Sequence, residues 1–334
     1  MRAAKRVSSL LLLAALCGCS DLVVTGPDEQ NNTADFESAW QTVKSVYPYF
    51  QFKHINWDSI HTLYRPRAEA ARGDEIDGVL AAMLMELKDG HVRLQTRGGA
   101  SIGTYVPPRS EKDRYAYSPL VVRRYFDREL RLAGDQRVEY ELLGDNIGYV
   151  YIATLRLEEP VAAGFDEALS YLKDARGLII DVRHNGGGSD NNSTAIIQRL
   201  ISSPFDMLPF PLPGGGLQRG SIIYPRGPFQ YTRPVLMLID GVCFSSCEDF
   251  AEMMKHVPTV TAVGDTTAGG SGAPQPFALP SGRKINIPTK DIRRYDGQPI
   301  EWNGVLPDVL LQQTGEDIRQ GRDRQLEYAI ETLR

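Results

Sequence analysis

Ser245 and Ser246 lie in Cys243-Phe244-Ser245-Ser246-Cys247-Glu248, between two segments of different period. Before them, Pro234–Ile239 is an apolar run of strand length that Asp240-Gly241 stops. After them, Glu248 opens a helical pattern with Phe250, Ala251 and Met254 on one face. A serine on a tight strand-to-helix turn pushes its hydroxyl out of the sheet. The unpaired N–H groups of the helix start lie beside it, and their partial positive charge suits a developing oxyanion. That is a geometry for acyl transfer. A simple serine cap with acidic residues in the first turn reads from the same letters.

A serine nucleophile needs a base with a pKa near neutrality. His91 sits in Leu87-Lys88-Asp89-Gly90-His91-Val92-Arg93-Leu94, just past the turn dipeptide Asp89-Gly90 and at the entrance to an alternating, strand-like run. From there an imidazole can face a cleft. Arg183-His184-Asn185-Gly186-Gly187-Gly188 follows the buried strand pattern Gly177–Val182. Glycines at the end of a parallel strand let backbone N–H groups approach a ligand. The run lacks the Lys-Ser/Thr ending of a phosphate loop, so an oxyanion donor or a peptide-binding edge fits better. Ser246 is the second candidate nucleophile and His184 the second candidate base; His54, His61 and His256 sit on helices or their flanks. Glu301, in Glu301-Trp302-Asn303-Gly304-Val305-Leu306-Pro307-Asp308, carries no functional signal by itself.

The elements around these residues change character along the chain. Phe36, Ala39, Trp40, Val43 and Val46 recur at helical spacing, and further helical patterns cover Ile60–Ala71 and Ile76–Leu87. Residues 34–97 therefore read as a helical bundle. Residues 98–146 read as a small β-rich segment, with strands at Ser118–Leu132 and Gln136–Leu143 around the Gly134-Asp135 turn. From Ile147 to residue 334 strands and helices alternate, which argues for an α/β core with parallel strands. Leu279–Pro288 is expected to be a strand pair turning at Ser281-Gly282, and Asp323–Leu333 a terminal helix.

The chain has 334 residues, 42% of them hydrophobic, so a full core can be buried. Its net charge is −5, or −8 without Arg2, Lys5 and Arg6, which disfavours nucleic acid as a partner. Those three residues precede the apolar run Leu10–Leu16, too short to span a membrane as a mature helix, so residues 1–18 read as a targeting leader. The run ends Leu16-Cys17-Gly18-Cys19, which resembles a bacterial lipoprotein signal with Cys19 as the lipidated residue; residues 19–33 then read as a polar tether. The expected location is the bacterial envelope, as an outer-membrane lipoprotein facing the periplasm. In that oxidising setting Cys243 and Cys247 are the remaining thiols, and a disulfide between them would stiffen the serine turn. No metal-type cysteine cluster exists, and no cofactor is called for.

Taken together, the motifs resemble one family. Leu87-x-Asp89-x-His91, Asp181-x-Arg183-x-Asn185-x-Gly187-Gly188, Ser245-x-x-Glu248, Gly264-Asp265-x-Thr267-x-Gly269-Gly270 and Glu301-x-x-Gly304-Val305-x-Pro307-Asp308 occur in the order found in the tail-specific (C-terminal processing) serine peptidases. The resemblance is to the branch with the tricorn core and the interphotoreceptor retinoid-binding protein, and it extends to Trp40, Tyr47-Pro48 and Asn56-Trp57-Asp58. It implies a ClpP/crotonase-like α/β core with Ser245 as nucleophile, His91 as base, Glu301 as orienter, and the N–H groups of Gly187 and Ser246 as oxyanion hole. The processing branch uses a lysine twenty-five residues after the serine; here that position is Gly270. Gly98–Asn146 is too short for the PDZ domain that the processing branch often carries.

The resemblance implies a serine endopeptidase acting on peptides or unfolded protein segments. The alternative is a non-catalytic binding protein on the same scaffold, holding a peptide or an apolar ligand. An acyl-CoA enzyme on the related crotonase fold is disfavoured, because an exported chain is away from CoA.

Overall fold

The computed structural model describes residues 27–156, 160–212 and 215–334. The chain opens with α1 (Pro27–Val46), α2 (Trp57–Ala70) and α3 (Glu75–Met85), followed by β1 (Arg93–Gln95) and β2 (Ser101–Gly103). Two short helices, α4 (Pro108–Asp113) and α5 (Pro119–Val122), lead to β3 (Arg131–Ala133), β4 (Val138–Leu143) and β5 (Ile147–Ile152). Alternation then sets in with α6 (Val161–Leu172), β6 (Gly177–Asp181) and α7 (Asp190–Ile197). The two-residue strands β7 (Phe205–Asp206), β8 (Phe210–Pro211), β9 (Leu217–Gln218) and β10 (Ile222–Ile223) form two small ladders. They precede β11 (Val235–Ile239), α8 (Ser246–Met254) and β12 (Val260–Gly264). Last come β13 (Pro274–Ala278), β14 (Lys284–Pro288), β15 (Val309–Leu310), α9 (Gly315–Arg319) and α10 (Arg324–Leu333).

The main sheet has seven strands in the order β15-β12-β11-β6-β5-β4-β3. β15, β12, β11, β6 and β5 are mutually parallel, whereas β4 pairs antiparallel with β5 and β3 pairs antiparallel with β4. Every residue of β5, β6 and β11 is buried, as expected for strands covered on both faces. One cover includes Phe165, Leu169, Ile196 and Phe250; the other packs Leu326, Ala329 and Leu333 of α10 against Ile179, Leu236 and Leu238. The α8 and α7 helices follow β11 and β6, so the turns after these neighbouring strands meet at one edge of the sheet.

A second, four-stranded antiparallel sheet has the order β13-β14-β1-β2. The three N-terminal helices share its core, with Phe36, Ile76, Leu80 and Leu84 packing with Leu94, Ile285 and Ile287. The α2 helix starts at the Asn56 cap, whose side chain accepts the Ser59 N–H.

Three expectations change. Residues 98–146 are not a separate piece: β4 pairs with β5 along its length in the main sheet, while β1 and β2 pair beside β14. The strand expected at Ser118–Leu132 is replaced by short helical turns over Pro119–Val122 and Arg123–Tyr125, because Ser118-Pro119 starts a helical turn, and only Arg131–Ala133 is strand. The tether expected over 19–33 gives way to helix in its described part, from residue 27 onward. The α1 helix begins at Pro27, and the buried Asn32 side chain donates to the carbonyls of Ala71 and Gly73. The leader 1–18 and Cys19 lie outside the described residues. Among those described, no helix is long and apolar enough to cross a membrane.

Candidate active site

The turn after β11 is built by Asp240, whose Oδ1 accepts the N–H groups of Val242 and Cys243 at 3.0 Å each. It delivers Ser245 to the N-cap of α8 with φ 60° and ψ −131°, a conformation non-glycine residues rarely adopt. Such strain persists only where the surroundings enforce it. The Ser245 N–H is held by the Gly270 carbonyl at 3.0 Å, and Cys243 and Cys247, whose pairing the sequence left open, are joined in a disulfide across the turn. Glu248, fully buried, accepts the N–H groups of Gly269 and Gly270 at 2.8 and 2.7 Å and the Thr267 hydroxyl. Burial pushes its carboxyl up to about 7, against those bonds. The Ser-x-x-Glu spacing thus ties the serine turn to the 267–270 loop.

Gly187 presses against this turn. A Cβ there would lie 2.8 Å from both the Ser245 Cβ and the Ser246 nitrogen, so only glycine lets the two strand ends close. The expected free donor is nevertheless engaged: the Gly187 N–H donates to Asn185 Oδ1 at 2.8 Å. The Ser246 hydroxyl donates to the Gly188 carbonyl at 3.1 Å, a bond that tells against Ser246 as nucleophile. The other candidate base, His184, contacts the Asp113 carbonyl at 3.2 Å and Asp240 at 3.4 Å, so it belongs to the turn scaffold.

His91 enters between α3 and β1. Its backbone N–H donates to Asp89 Oδ1 at 2.9 Å, and its ring stacks on Phe244 with centroids 4.3 Å apart. Both ring nitrogens are buried without a hydrogen-bond partner. Burial, the largest influence, pushes the imidazole down to about 4, although Asp89 pulls the other way. In the free protein His91 is therefore hydrogen-bonded to neither Ser245 nor Glu301. Asp89 Oδ1 lies 3.8 Å from Nδ1, beyond hydrogen-bond reach.

Glu301 is buried, and its Oε1 is in contact with the ammonium of Lys53 at 2.6 Å, while Oε2 has no partner. Burial and Asp89 raise its carboxyl well above the usual range, against the opposing pull of Lys53. Lys53 itself is wholly buried and also donates to the carbonyls of Leu87 and Lys88. The sequence reading missed this lysine. The available signal was a cation set in the aromatic run Tyr47-Pro48-Tyr49-Phe50-Gln51-Phe52, beside Trp57.

Phe244 explains one departure. A Cβ on Gly270 would fall 2.0 Å from its ring, and one on Gly90 would fall 2.9 Å away. The space a lysine would need at position 270 is thus taken by the aromatic ring that stacks on His91. Two cavities of about 470 Å³ lie around these segments. One is lined by Ser245, Ser246, Gly188, Asp190 and Asp249; the other by Gly90, Tyr105, Pro107, Glu301 and Trp302. Among the described residues, no group of three or more His, Cys, Asp or Glu side chains is arranged to hold a metal ion.

The site thus combines a strained serine at a helix start, a glycine-rich strand end closed on it, a buried histidine stacked on the neighbouring Phe244, and a buried carboxylate on the wall of the second cavity. The family model for peptidase family S41 matches residues 146–311, and that for the tricorn protease C1 domain matches residues 28–84. The chain belongs to the S41 peptidases, the tail-specific family. It is 24% identical over 244 residues to the carboxy-terminal processing protease CtpB of Bacillus subtilis, covering 72% of this chain and 48% of that protein. It is 27% identical over 204 residues to the tricorn protease of Thermoplasma acidophilum, covering 60% of this chain and 18% of that one. The chain thus spans about half the length of the first relative and less of the second. A solved structure of a candidate peptidase from Parabacteroides merdae is 28% identical, with a TM-score of 0.78, covering 92% of this chain and 97% of that one.

Proposed function

We propose that the protein is a serine endopeptidase that hydrolyses peptides or unfolded protein segments, with Ser245 as nucleophile, His91 as base and Glu301 as its orienting carboxylate. The observation that carries this reading is Ser245 held at φ 60° on the α8 N-cap, on the wall of a cavity of about 470 Å³. The Ser245 hydroxyl attacks the peptide carbonyl while a ring nitrogen of His91 takes its proton. The oxyanion forms beside the Ser246 N–H at the helix start, where backbone donors and helix dipole favour negative charge. Gly187 is the second donor, and it must exchange Asn185 for the oxyanion. His91 then returns its proton to the leaving amine, and water releases the acyl group by the reverse sequence. The unpartnered nitrogens of His91 and Oε2 of Glu301 are the atoms this cycle would engage. Since these atoms have no partner in the free protein, the cycle needs substrate to bring them into line.

The Cys19 signal supports placement as a lipoprotein of the bacterial envelope, with the described residues tethered outside the cytoplasm. Incubating the full chain with a library of unstructured peptides, followed by mass spectrometry, tests the activity. Internal cleavage by the wild type and none by Ser245→Ala is expected. No cleavage by folded wild-type protein, with a ligand retained through purification, would favour the binding protein.

A further inference from the structure

Lys53 belongs to the helical N-terminal region and Glu301 to a loop beyond β14, more than two hundred residues later. The ammonium joins that carboxylate to the segment carrying His91. It contacts Glu301 Oε1 at 2.6 Å, lies 3.5 Å from Asp89 Oδ2, and donates to the carbonyls of Leu87 and Lys88 at 3.0 and 3.2 Å. Both carboxylates are buried, and Asp89 also accepts the Tyr47 hydroxyl at 2.9 Å. Two acids sharing a dry site cannot both stay ionised without a cation. Lys53 occupies one oxygen of Glu301 and leaves the other bare, in a site where both His91 nitrogens are bare too.

We infer that Lys53 is a positioning residue for the Ser245–His91 reaction: paired with Oε1 of Glu301, it favours the ionised carboxylate and presents the free Oε2 to the imidazole once substrate draws His91 into line. This rests on the reading of Ser245 and His91 given above. A neutral Glu301 could not stabilise the imidazolium that forms as the serine proton leaves. Burial, Asp89 and Glu248 lift the Glu301 carboxyl well above the usual range, and the Lys53 ammonium, 2.6 Å away, is the cation set against them. Around His91, Asp89 favours the protonated ring, whereas Arg93 and Lys53 disfavour it. Removing Lys53 therefore raises both the carboxyl and the imidazole, and the acid limb of the reaction moves to higher pH.

The test is the rate constant for modification of Ser245 by a fluorophosphonate between pH 4 and 9, in the full chain and in Lys53→Met, Glu301→Gln and the double variant. Thermal unfolding confirms that each is folded. Lys53→Met is expected to react about 10- to 100-fold more slowly at pH 7, with the acid limb shifted up by about one unit or more and much of the rate restored at pH 9. The double variant should react no more slowly than Glu301→Gln, because the lysine acts through that carboxylate. A loss uniform across pH, or losses that simply multiply in the double variant, would reduce Lys53 to a structural strut and overturn the inference. If Lys53→Met does not fold, the carboxyl of Glu301 can be followed by carbon-13 NMR in the wild type, with Glu301→Gln for assignment. An ionised carboxylate at pH 7 is expected, and a protonated one overturns the inference. Absence of Ser245 labelling in the wild type would instead remove the peptidase reading beneath it.

Discussion

Arg183 and Lys53 are both wholly buried cations set between two acids, yet their surroundings are finished to different degrees. Arg183 is bonded to Asp181 and Asp323 through two nitrogens each and to Gln325, with the Tyr117 ring over its face. It clamps the end of β6 to the cap of α10, and its arms have partners. Around Lys53 the polar atoms are left open: both nitrogens of His91 and one oxygen of Glu301 have no partner. These are three of the five buried side-chain atoms without a partner among the described residues. Buried polar groups are normally satisfied because leaving one bare costs roughly 1–3 kcal/mol. A fully bonded network fixes the fold, whereas an open one reserves its bonding capacity for something that binds. The difference marks the Lys53 surroundings as the candidate site and the Arg183 network as scaffold.

Substitutions in the two networks should have opposite consequences. Ser245→Ala should abolish peptide cleavage, a loss on the order of 10⁴-fold or more, with unfolding stability within about 1 kcal/mol of the wild type. Activity assays beside thermal unfolding check this, and residual cleavage would move the nucleophile elsewhere. Arg183→Met should do the reverse. It strands Asp181 and Asp323 and should cost about 3–5 kcal/mol in denaturant unfolding, while the folded fraction reacts at Ser245 within a few-fold of normal. A large change in reactivity without loss of stability would erase the distinction drawn between the two networks.

His91 gives a sharper and milder test. Burial holds its ring neutral, so its NMR titration should have a midpoint near about 4, well below that of an exposed histidine. Its folded pKa lies below the unfolded value, so this group's stabilising contribution is present above pH 6.5 and is lost as pH falls toward 4. A midpoint near 6.5 would mean a solvated ring. The smallest effect expected is that of the disulfide. It closes a loop of only four residues' separation, so Cys243→Ala with Cys247→Ala should cost about 2 kcal/mol, read from chemical denaturation.

Part of the candidate site was legible because it is marked by local chemistry. The apolar run of β11, the Asp240-Gly241 stop and the acidic first turn of α8 make the Ser245 turn readable from adjacent residues. The loops holding His91 and Glu301 were readable only through their resemblance to a family, since a histidine after a turn and a glutamate in a loop carry no signal alone. Lys53 was not read at all. Its meaning arises from contacts with residues 89 and 301, which local periodicity cannot register. The engagement of Gly187 by Asn185 is likewise a tertiary fact, decided by how the glycine run folds back on its own strand end. In the scaffold, alternation gave the parallel core, but Ser118–Leu132 was misread because its apolar residues outweighed the helix start at Ser118-Pro119. The union of β4 with β5 depends on pairing across a turn and extends the main sheet where a separate piece was expected.

The claim on which the rest depends is that Ser245 reacts and that His91, bare in the free protein, is what activates it. The most direct measurement is the fluorophosphonate rate constant with peptide mapping of the label, in wild type, His91→Ala and Ser246→Ala. The account predicts label on Ser245, slowed on the order of 10³-fold in His91→Ala and retained in Ser246→Ala. Label on Ser246, equal rates with and without His91, or no label on folded wild-type protein would contradict it.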